Sequence, residues 1–441
     1  MPIHETPSEV ATLLARHAPQ QMRRILDPSV GAGALVLPVA SRLMACASVV
    51  CVDVDATALG VAKSLLASYS QSVRCVHGDF LDQVMHCQHL RSSSFDCVVM
   101  NPPYAAKKAD WTEIHCGSLG LDKRISVPKE IAFFLRGIEL LRKRGRLLAV
   151  LPASMVSASL FGELRNWLGH AGQFHYVHEL PKFTFRGVEG RVYLVVFERG
   201  GTTSRVELRN HDLRTPECMC LGWSDLGELR RLDFGFQQNR RSFAAIVKAT
   251  PELGWTPLAE IFDIRRGPRR SPRGPKIAMH TTDFDGDFWV PARRHLCAGN
   301  ANRIQRGDLF MARVARRCLQ TFGAIKDYRP VSWSDCVFRL RLMTGAGVEA
   351  TLLSVRTVMG LDQAPHLLER GMGAAYVTES DLGSLLIPTK IAEMRPGAMQ
   401  RYVEAVRSWD GKAMRQMERQ TRQWILRRCG SARNLPATST Q

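Results

Sequence analysis

The fold is decided by the stretch Phe95-Asp96-Cys97-Val98-Val99-Met100-Asn101-Pro102-Pro103-Tyr104. Its apolar run predicts a buried parallel strand, which the Asn-Pro-Pro-Tyr segment ends abruptly. Two consecutive prolines fix two φ angles and remove two donors, so the loop after the strand is stiff. We therefore expect the Asn101 amide oxygen and the Pro102 carbonyl to face one point, where two acceptors suit an NH2 group. Tyr104 adds a flat face, which suits a planar conjugated amine such as a nucleobase. Taken alone, the segment also fits an ordinary proline turn.

Two earlier predicted strands also end at acidic residues. The strand that ends at Asp27 leads into a turn with Gly31 and Gly33, which let the backbone approach a ligand closely. The next strand ends at Asp53, about 20 residues past that turn, followed by Val54. A carboxylate at this place is suited to accept hydrogen bonds from the ribose hydroxyls of an adenosine ligand.

A third strand, Val73 to Val76, is followed by Asp79 and Phe80. An acid beside an aromatic ring can accept a hydrogen bond from an exocyclic amine and cover one face of its ring. Each strand-end residue alone could be a turn or capping residue. Four such ends in succession on alternating β/α units, the last at Asn101, instead predict a shared ligand-binding edge.

Charge and composition point to a polyanion partner. The net charge of the 441 residues is +19, of which residues 1–200 contribute +5 and the remainder +14. A basic second half on a nearly balanced first half favours a polyanion held mostly by the second half, against the alternative of generic surface arginine. The twelve cysteines have no metal-ligand spacing, so we expect free thiols and no metal. No segment resembles a membrane span or a signal peptide, so we expect a cytoplasmic protein without membrane contact.

The motif set resembles a known enzyme family. Asp27-Pro28-x-x-Gly-x-Gly-x-Leu, the acid at 53, Gly-Asp-Phe at 78–80 and Asn-Pro-Pro-Tyr are similar to the S-adenosylmethionine-dependent N6-adenine DNA methyltransferases of the γ-ordered, TaqI-like group. Glu5-Thr6-Pro7 resembles that group's first motif, whose threonine contacts the amino-acid end of the cofactor. The resemblance covers about residues 3–200.

Later segments extend the resemblance. Phe133, in a predicted helix that starts near Ile131, corresponds to an aromatic residue that packs on the cofactor adenine. The segment Phe183-Thr184-Phe185-Arg186-Gly187 resembles the eighth motif, in which an aromatic ring stacks on the flipped base. The spacing favours Phe185 over Phe183, and core packing is the alternative for either ring.

The resemblance implies a fold and a set of site residues. Residues 1–200 are expected to form a Rossmann-like α/β methyltransferase domain, with a mostly parallel seven-stranded sheet and helices on both faces. The implied cofactor is S-adenosyl-L-methionine, and its implied contacts are Thr6, Asp27, Pro28, Gly31, Gly33, Asp53, Val54, Asp79, Phe80, Asn101 and Phe133. The implied catalytic residues are Asn101, Pro102, Pro103 and Tyr104, with Tyr104 and Phe185 stacking on the target base.

The second half carries a weaker resemblance. Residues 201–250 have no interpretable motif and are expected to be a connector, residues 251–430 an α+β target-recognition domain, and residues 431–441 a disordered tail. Leu258–Gly267, Arg306–Arg313 and Leu385–Pro388 are similar to segments of target-recognition domains in DNA methyltransferases and type I specificity subunits. A long basic helix from Met399 to about Arg428 is expected to pack its apolar stripe on that domain.

Basic residues in loops are the candidate DNA contacts. A flap at residues 105–129, a solvated loop being the alternative, and two arginine clusters supply them. The predicted contacts are Lys107, Lys108, Arg265, Arg266, Arg269, Arg270, Arg313 and Arg316. Double-stranded DNA is the expected partner of a monomeric chain, and a separately acting cognate restriction endonuclease is a partner that the sequence leaves open.

Three alternative functions are a methyltransferase with another substrate, a methyltransferase fused to a nuclease, and a DNA-binding module without activity. An Asn-Pro-Pro-Tyr methyltransferase that modifies a release-factor glutamine or an RNA base shares the acceptor geometry, although such enzymes usually carry their extra domain before the cofactor motif. A fused restriction endonuclease would need a nuclease segment; the first motif starts at Glu5, and we find no convincing acidic metal cluster downstream. A DNA-binding module without activity would not need an intact Asn-Pro-Pro-Tyr.

Overall fold

The computed structural model divides into two compact units, Met1–Gln237 and Gln238–Gln441. It describes residues 6–43, 47–70, 72–90, 93–105, 110–117, 120–181, 183–185, 191–227, 230–268, 279–290, 304–326, 332–343, 345, 347–370 and 375–431.

The first unit is built on a nine-stranded, mostly parallel sheet. Its strands and one separate hairpin are β1 (Arg24–Asp27), β2 (Ser48–Asp53), β3 (Ser72–His77), β4 (Phe95–Met100), β5 (Trp111–Cys116), β6 (Leu121–Pro128), β7 (Leu141–Pro152), β8 (Gly172–Glu179), β9 (Val192–Arg199), β10 (Arg205–Arg209) and β11 (Cys218–Gly222). The sheet order is β11-β10-β8-β9-β7-β4-β1-β2-β3, while β5 pairs only with β6. Only β9 and β11 run antiparallel to their neighbours in this sheet. The predicted α/β fold with helices and a mostly parallel sheet is thus confirmed.

Helices cover both faces of this sheet. They are α1 (Ser8–Ala15), α2 (Val36–Ala40), α3 (Ala56–Leu66), α4 (Phe80–His86), α5 (Lys129–Leu140), α6 (Ala153–Ser157) and α7 (Gly162–Ala171). All of β4 is buried because its successive side chains enter two different cores. Val98 lies in the core cluster that contains Phe134 of α5, and Val99 in the cluster that contains Val10 of α1 and Leu59 of α3. This explains why the strand reads as a continuous apolar run.

The expected connector at 201–250 is not observed. Strands β10 and β11 add to the first sheet, and α8 (Phe234–Ala249) contains the boundary between the units. In β10 the apolar residues Val206 and Leu208 are buried and alternate with polar ones, which is the pattern of a half-buried strand. High arginine content obscured this short alternation, so the sheet has nine strands rather than seven.

The second unit is α+β. Its strands are β12 (Trp255–Pro257), β13 (Phe262–Arg266), β14 (Phe284–Asp285), β15 (Phe288–Trp289), β16 (Leu309–Ala312), β17 (Gly323–Ala324), β18 (Val337–Leu342) and β19 (Leu386–Pro388). Its helices are α9 (Leu258–Ile261), α10 (Val348–Met359), α11 (Ala364–Leu368), α12 (Glu379–Ser384), α13 (Ile391–Met394), α14 (Pro396–Arg407) and α15 (Gly411–Ser431). Its β structure consists of an antiparallel sheet of order β13-β18-β16-β17 and two separate pairs, β12–β19 and β14–β15.

The predicted long basic helix is two helices. The chain breaks between α14 and α15, where Trp409 has a left-handed φ of 57°. The apolar residues Tyr402, Met417 and Ile425 are buried in the core of the second unit, so the predicted stripe does pack. Within the described residues, no helix has the length and apolarity of a membrane span.

Candidate active site

Asn101, directly after β4, is held by two polar contacts from distant parts of the chain. Its side-chain Nδ2 donates to Oγ1 of the buried Thr6 at 3.1 Å. The Ser29 hydroxyl donates to the Asn101 main-chain carbonyl, also at 3.1 Å. The structure therefore joins the first motif, the turn after β1 and the Asn-Pro-Pro-Tyr loop. With Nδ2 engaged, Asn101 directs its Oδ1 acceptor elsewhere.

That acceptor meets Tyr104. The Tyr104 hydroxyl donates to Asn101 Oδ1 at 3.1 Å, with the Val150 carbonyl of β7 at 3.4 Å. Burial first, and then the negative charge of Glu130, raises the pKa of Tyr104 well above its usual range. The phenol is therefore neutral and remains a hydrogen-bond donor at physiological pH.

Glu130, on the first turn of α5, is a site residue that the sequence reasoning missed. Its buried carboxylate accepts from the Ala105 amide at 2.9 Å (Oε2) and from the Ser154 hydroxyl at 2.8 Å (Oε1). Ala105 follows Tyr104, and Ser154 follows the end of β7. The only signal in the sequence is an acidic residue directly before the apolar run of α5.

The turn after β1 is closed by acidic side chains. Asp27 Oδ1 accepts from the Ser29 amide at 3.0 Å, and Asp53 Oδ2 accepts from the Gly31 amide at 2.7 Å. Gly31 and Gly33 have φ angles of 50° and 94°, which side chains other than glycine rarely adopt. The turn that follows Asp27-Pro28 therefore has the backbone that the glycine pattern predicts.

Burial raises the pKa of Asp27 to about 8, the Ser29 amide opposes this rise, and the charge of Asp53 adds to it. Asp27 is therefore mostly protonated at neutral pH. Asp53 also accepts from the Asp55 amide at 3.0 Å, but a carboxylate has about four lone-pair positions and can still accept from a diol. Val54 is 67% exposed beside it.

The residues after β3 and the start of α5 form the third part of the predicted ligand-binding edge of the sheet. Asp79 caps α4 through the Leu81 amide at 3.0 Å, and Lys129 Nζ lies 2.6 Å from its other oxygen. The rings of Phe80 and Phe133 have centroids 5.0 Å apart, so the two predicted aromatic contacts lie together. Lys129 was expected in a flap against DNA; it instead starts α5 and pairs with Asp79, because the flap is the β5–β6 hairpin and ends at Pro128.

These groups fit an adenosine-containing methyl donor. The carboxylate of Asp53 beside a glycine turn suits the ribose, and Asp79 with the Phe80–Phe133 pair suits a planar exocyclic amine. Thr6 and Asn101 are hydrogen-bonded to each other, and their contacts with the cofactor stay a prediction.

The two candidate base-stacking rings have different surroundings. Phe185 is 3% exposed and belongs to the apolar core on which Tyr104 also packs. Phe183 is 73% exposed and has a left-handed φ of 66°. The stacking role of Phe185 remains a prediction, and Phe183 is the ring available at the surface.

The predicted arginines of the second unit fall into separate groups. Arg265 and Arg339 both pair with Asp263, while Arg266 and Arg313 both contact Asp335. Arg316 is exposed. Arg265 and Arg266 lie on strand β13 rather than in the predicted loop. Lys107, Lys108, Arg269 and Arg270 lie outside the described residues, where they stay predictions.

No metal site is formed by the described part of the chain, since no group of three or more His, Cys, Asp or Glu side chains there could hold an ion. The ten cysteines within it are free thiols.

Two family models match the first unit. Residues 6–116 match the methyltransferase small domain, and residues 65–184 match the Eco57I restriction-modification methylase. A search of curated proteins gave no match. Both models describe methyltransferases, and S-adenosyl-L-methionine is the methyl donor of this type of domain, as predicted.

Three solved structures illustrate what the chain is similar to. One is the methyltransferase subunit of a type I restriction-modification system from Streptococcus thermophilus (22% identity, TM-score 0.39, 47% of each chain covered). Another is a putative class I S-adenosylmethionine-dependent methyltransferase from Listeria monocytogenes (18% identity, TM-score 0.37, 48% of this chain and 67% of that chain). The type IIG restriction endonuclease BpuSI matches over 97% of this chain and 66% of its own (13% identity, TM-score 0.47). The chain thus spans about half the length of the type I subunit.

Proposed function

We propose that the chain transfers a methyl group from S-adenosyl-L-methionine to N6 of a flipped-out adenine in double-stranded DNA. The observation that carries this proposal is the placement of Asn101 directly after β4, where Nδ2 donates to Thr6 and Oδ1 accepts a hydrogen bond from the Tyr104 hydroxyl. The match of residues 65–184 to a restriction-modification methylase supports DNA as the substrate.

The cofactor supplies an activated methyl group on a sulfonium sulfur. Asn101 Oδ1 and the Pro102 carbonyl each accept one hydrogen of the adenine amine, which draws its nitrogen toward tetrahedral geometry and frees the lone pair. When bound by Asp53, Asp79, Phe80 and Phe133, the cofactor would supply this methyl group as an electrophile. The amine nitrogen that takes it up would carry the positive charge and then release one N–H proton to water. No strong general base is needed, because the N–H becomes acidic once the methyl group has bonded. Catalysis then rests on orientation and fixed dipoles.

The cofactor edge is assigned by chemistry. Asp53 accepts from the ribose hydroxyls, while Gly31 and Gly33 allow close approach of the backbone. Asp79 accepts from the cofactor's exocyclic amine, with Phe80 and Phe133 against its ring. Lys129 Nζ lies 2.6 Å from the same carboxylate and competes with the exocyclic amine for it.

The target base is held between aromatic faces. Tyr104 covers one face after it leaves Asn101, and the segment from Phe183 to Phe185 provides the other. In the second unit Arg265, Arg266, Arg313 and Arg316 contact DNA, and which of them reads a base is open. We also propose that the chain is monomeric and acts independently of any cognate restriction endonuclease.

The test compares substrates directly. Purified protein is incubated with S-adenosylmethionine carrying a labelled methyl group and with unmethylated genomic DNA, total RNA or cell protein, followed by digestion and mass spectrometry. We expect label in N6-methyldeoxyadenosine within a defined sequence motif. Label confined to RNA, to protein glutamine or to cytosine would refute the proposal. An Asn101→Ala variant controls for contaminating activity.

A further inference from the structure

A buried carboxylate lies at the far end of the Asn-Pro-Pro-Tyr loop. Glu130 is 3% exposed, although it stands on the first turn of a helix. A buried carboxylate is costly unless hydrogen-bond donors satisfy it. Here both oxygens are used, one by the Ala105 amide and one by the Ser154 hydroxyl. Glu130 therefore joins α5 to the end of the loop and to the segment after β7.

The two prolines limit the main-chain hydrogen bonds that the loop itself can donate. Pro102 and Pro103 carry no N–H group, so Tyr104 and Ala105 are the next main-chain donors after Asn101. The near end of the loop is fixed by the contacts of Asn101 with Thr6 and Ser29. The far end is fixed by the Ala105 bond to Glu130. Tyr104 packs on the apolar core between these two ends, so the Ala105 bond is the main-chain attachment at the far end of the loop.

We propose that Glu130 is a positioning residue that sets the aim of the two acceptors, Asn101 Oδ1 and the Pro102 carbonyl, by anchoring the loop at Ala105. This inference rests on the proposed function for its effect on rate. Glu130 bonds to Ala105 and Ser154 rather than to Asn101, so it acts on the loop and not on the reacting amine. Its charge reaches the loop as well, since it contributes to the raised pKa of Tyr104.

Four variants separate anchoring from general damage. Glu130→Ala removes both acceptors, and Glu130→Gln keeps an oxygen for Ala105 while its NH2 group can donate to Ser154. Ala105→Pro removes the donor and leaves the carboxylate in place. Glu139→Ala is the matched control, because Glu139 is also a buried acid of α5 but lies on its last turn and pairs with Arg136.

The first readout is hydrogen–deuterium exchange of the segment 101–105 in the protein alone, and the second is single-turnover methyl transfer to DNA with a separate cofactor Kd. We expect Glu130→Ala and Ala105→Pro to speed exchange at this segment and to lower the transfer rate by on the order of 100-fold. Cofactor Kd should stay within about threefold, because these variants leave Asp53, Asp79, Phe80 and Phe133 in place. Glu130→Gln should restore the rate to within about fivefold of the original, and Glu139→Ala should match the original protein.

Each outcome shows whether or not Glu130 anchors the loop. If Glu130→Ala and Ala105→Pro keep both the protection and the rate, Glu130 does not anchor the loop. If Glu130→Gln loses as much as Glu130→Ala, charge rather than anchoring is responsible, which also overturns the inference. Should Glu130→Ala fail to fold, Ala105→Pro decides by the same two readouts. If the original protein transfers no methyl group to DNA yet the variants lose protection, the proposed function fails and the anchoring stands.

Discussion

The Tyr104 hydroxyl donates a hydrogen bond to Asn101 Oδ1 at 3.1 Å. This oxygen is also the acceptor that the proposed reaction needs for an N6 hydrogen of the target base. The tyrosine therefore occupies the position of the substrate donor until a base displaces it. Its ring remains available to stack on that base. Tyr104 would therefore donate to Asn101 Oδ1 before the base binds and stack on the base afterwards.

We expect Tyr104→Phe to keep the flat face and remove this competing donor. Because a net hydrogen bond is worth about 1 kcal/mol, the KM for DNA should fall by up to about fivefold, with kcat little changed. Tyr104→Ala should lower kcat/KM by about 10-fold or more through lost stacking. The measurement is steady-state kinetics on one DNA duplex. Equal losses in the two variants would mean that the hydroxyl itself takes part in the reaction.

The Lys129–Asp79 pair makes a prediction about cofactor affinity. Both side chains are 30% exposed, so the pair is screened by water and contributes at most about 1 kcal/mol. Lys129→Met should therefore tighten cofactor binding by up to about fivefold, as measured by calorimetry. Asp53→Ala should have the opposite effect and weaken binding, because it removes the ribose acceptor. Weaker binding by Lys129→Met would show that Lys129 contacts the cofactor instead of competing with it.

Asp27 makes stability depend on pH. Its pKa in the folded chain is about 8, raised by burial from an ordinary value of 3.8. The folded state therefore holds this proton more tightly than the unfolded state. Protonated Asp27 makes its full contribution to the stability of the fold below pH 3.8. This contribution falls by up to about 1.4 kcal/mol per pH unit between pH 3.8 and about 8, and it is lost as the pH rises through about 8.

An isosteric Asp27→Asn variant keeps an acceptor for the Ser29 amide and cannot ionise. We expect the unfolding midpoint of the original protein to fall between pH 5 and pH 8 by more than that of Asp27→Asn, as followed by urea unfolding. Glu179, whose pKa burial raises to about 7, is common to both proteins, so the difference isolates Asp27. Parallel pH profiles would contradict the raised pKa.

The strand ends could be predicted from sequence because each depends on local patterns. An apolar run followed by Asp27, Asp53 or Asn101 gives both the strand and the side chain at its end. Glu130 and Lys129 could not be found in this way, since their partners Ala105 and Asp79 lie 25 and 50 positions away. Those contacts depend on where α5 packs, which no short motif encodes.

The predictions for the size of the first sheet and for the length of the last helix were wrong for related physical reasons. Strand β10 is short and rich in arginine, so its alternation was hidden and the sheet was predicted two strands too small. The break at Trp409 occurs within a basic, periodic segment that has no proline at that point. A non-glycine residue in the left-handed region is set by its tertiary surroundings rather than by sequence preference.

In the proposed reaction, Asn101 activates an amine by accepting its hydrogen. The most direct test of this step is single-turnover methyl transfer to duplex DNA by Asn101→Ala, with cofactor Kd measured on the same preparation. We predict that transfer falls by about 1,000-fold or more, while the Kd changes by less than about tenfold. Near-normal transfer by Asn101→Ala, with the cofactor bound, would show that Asn101 does not activate the amine.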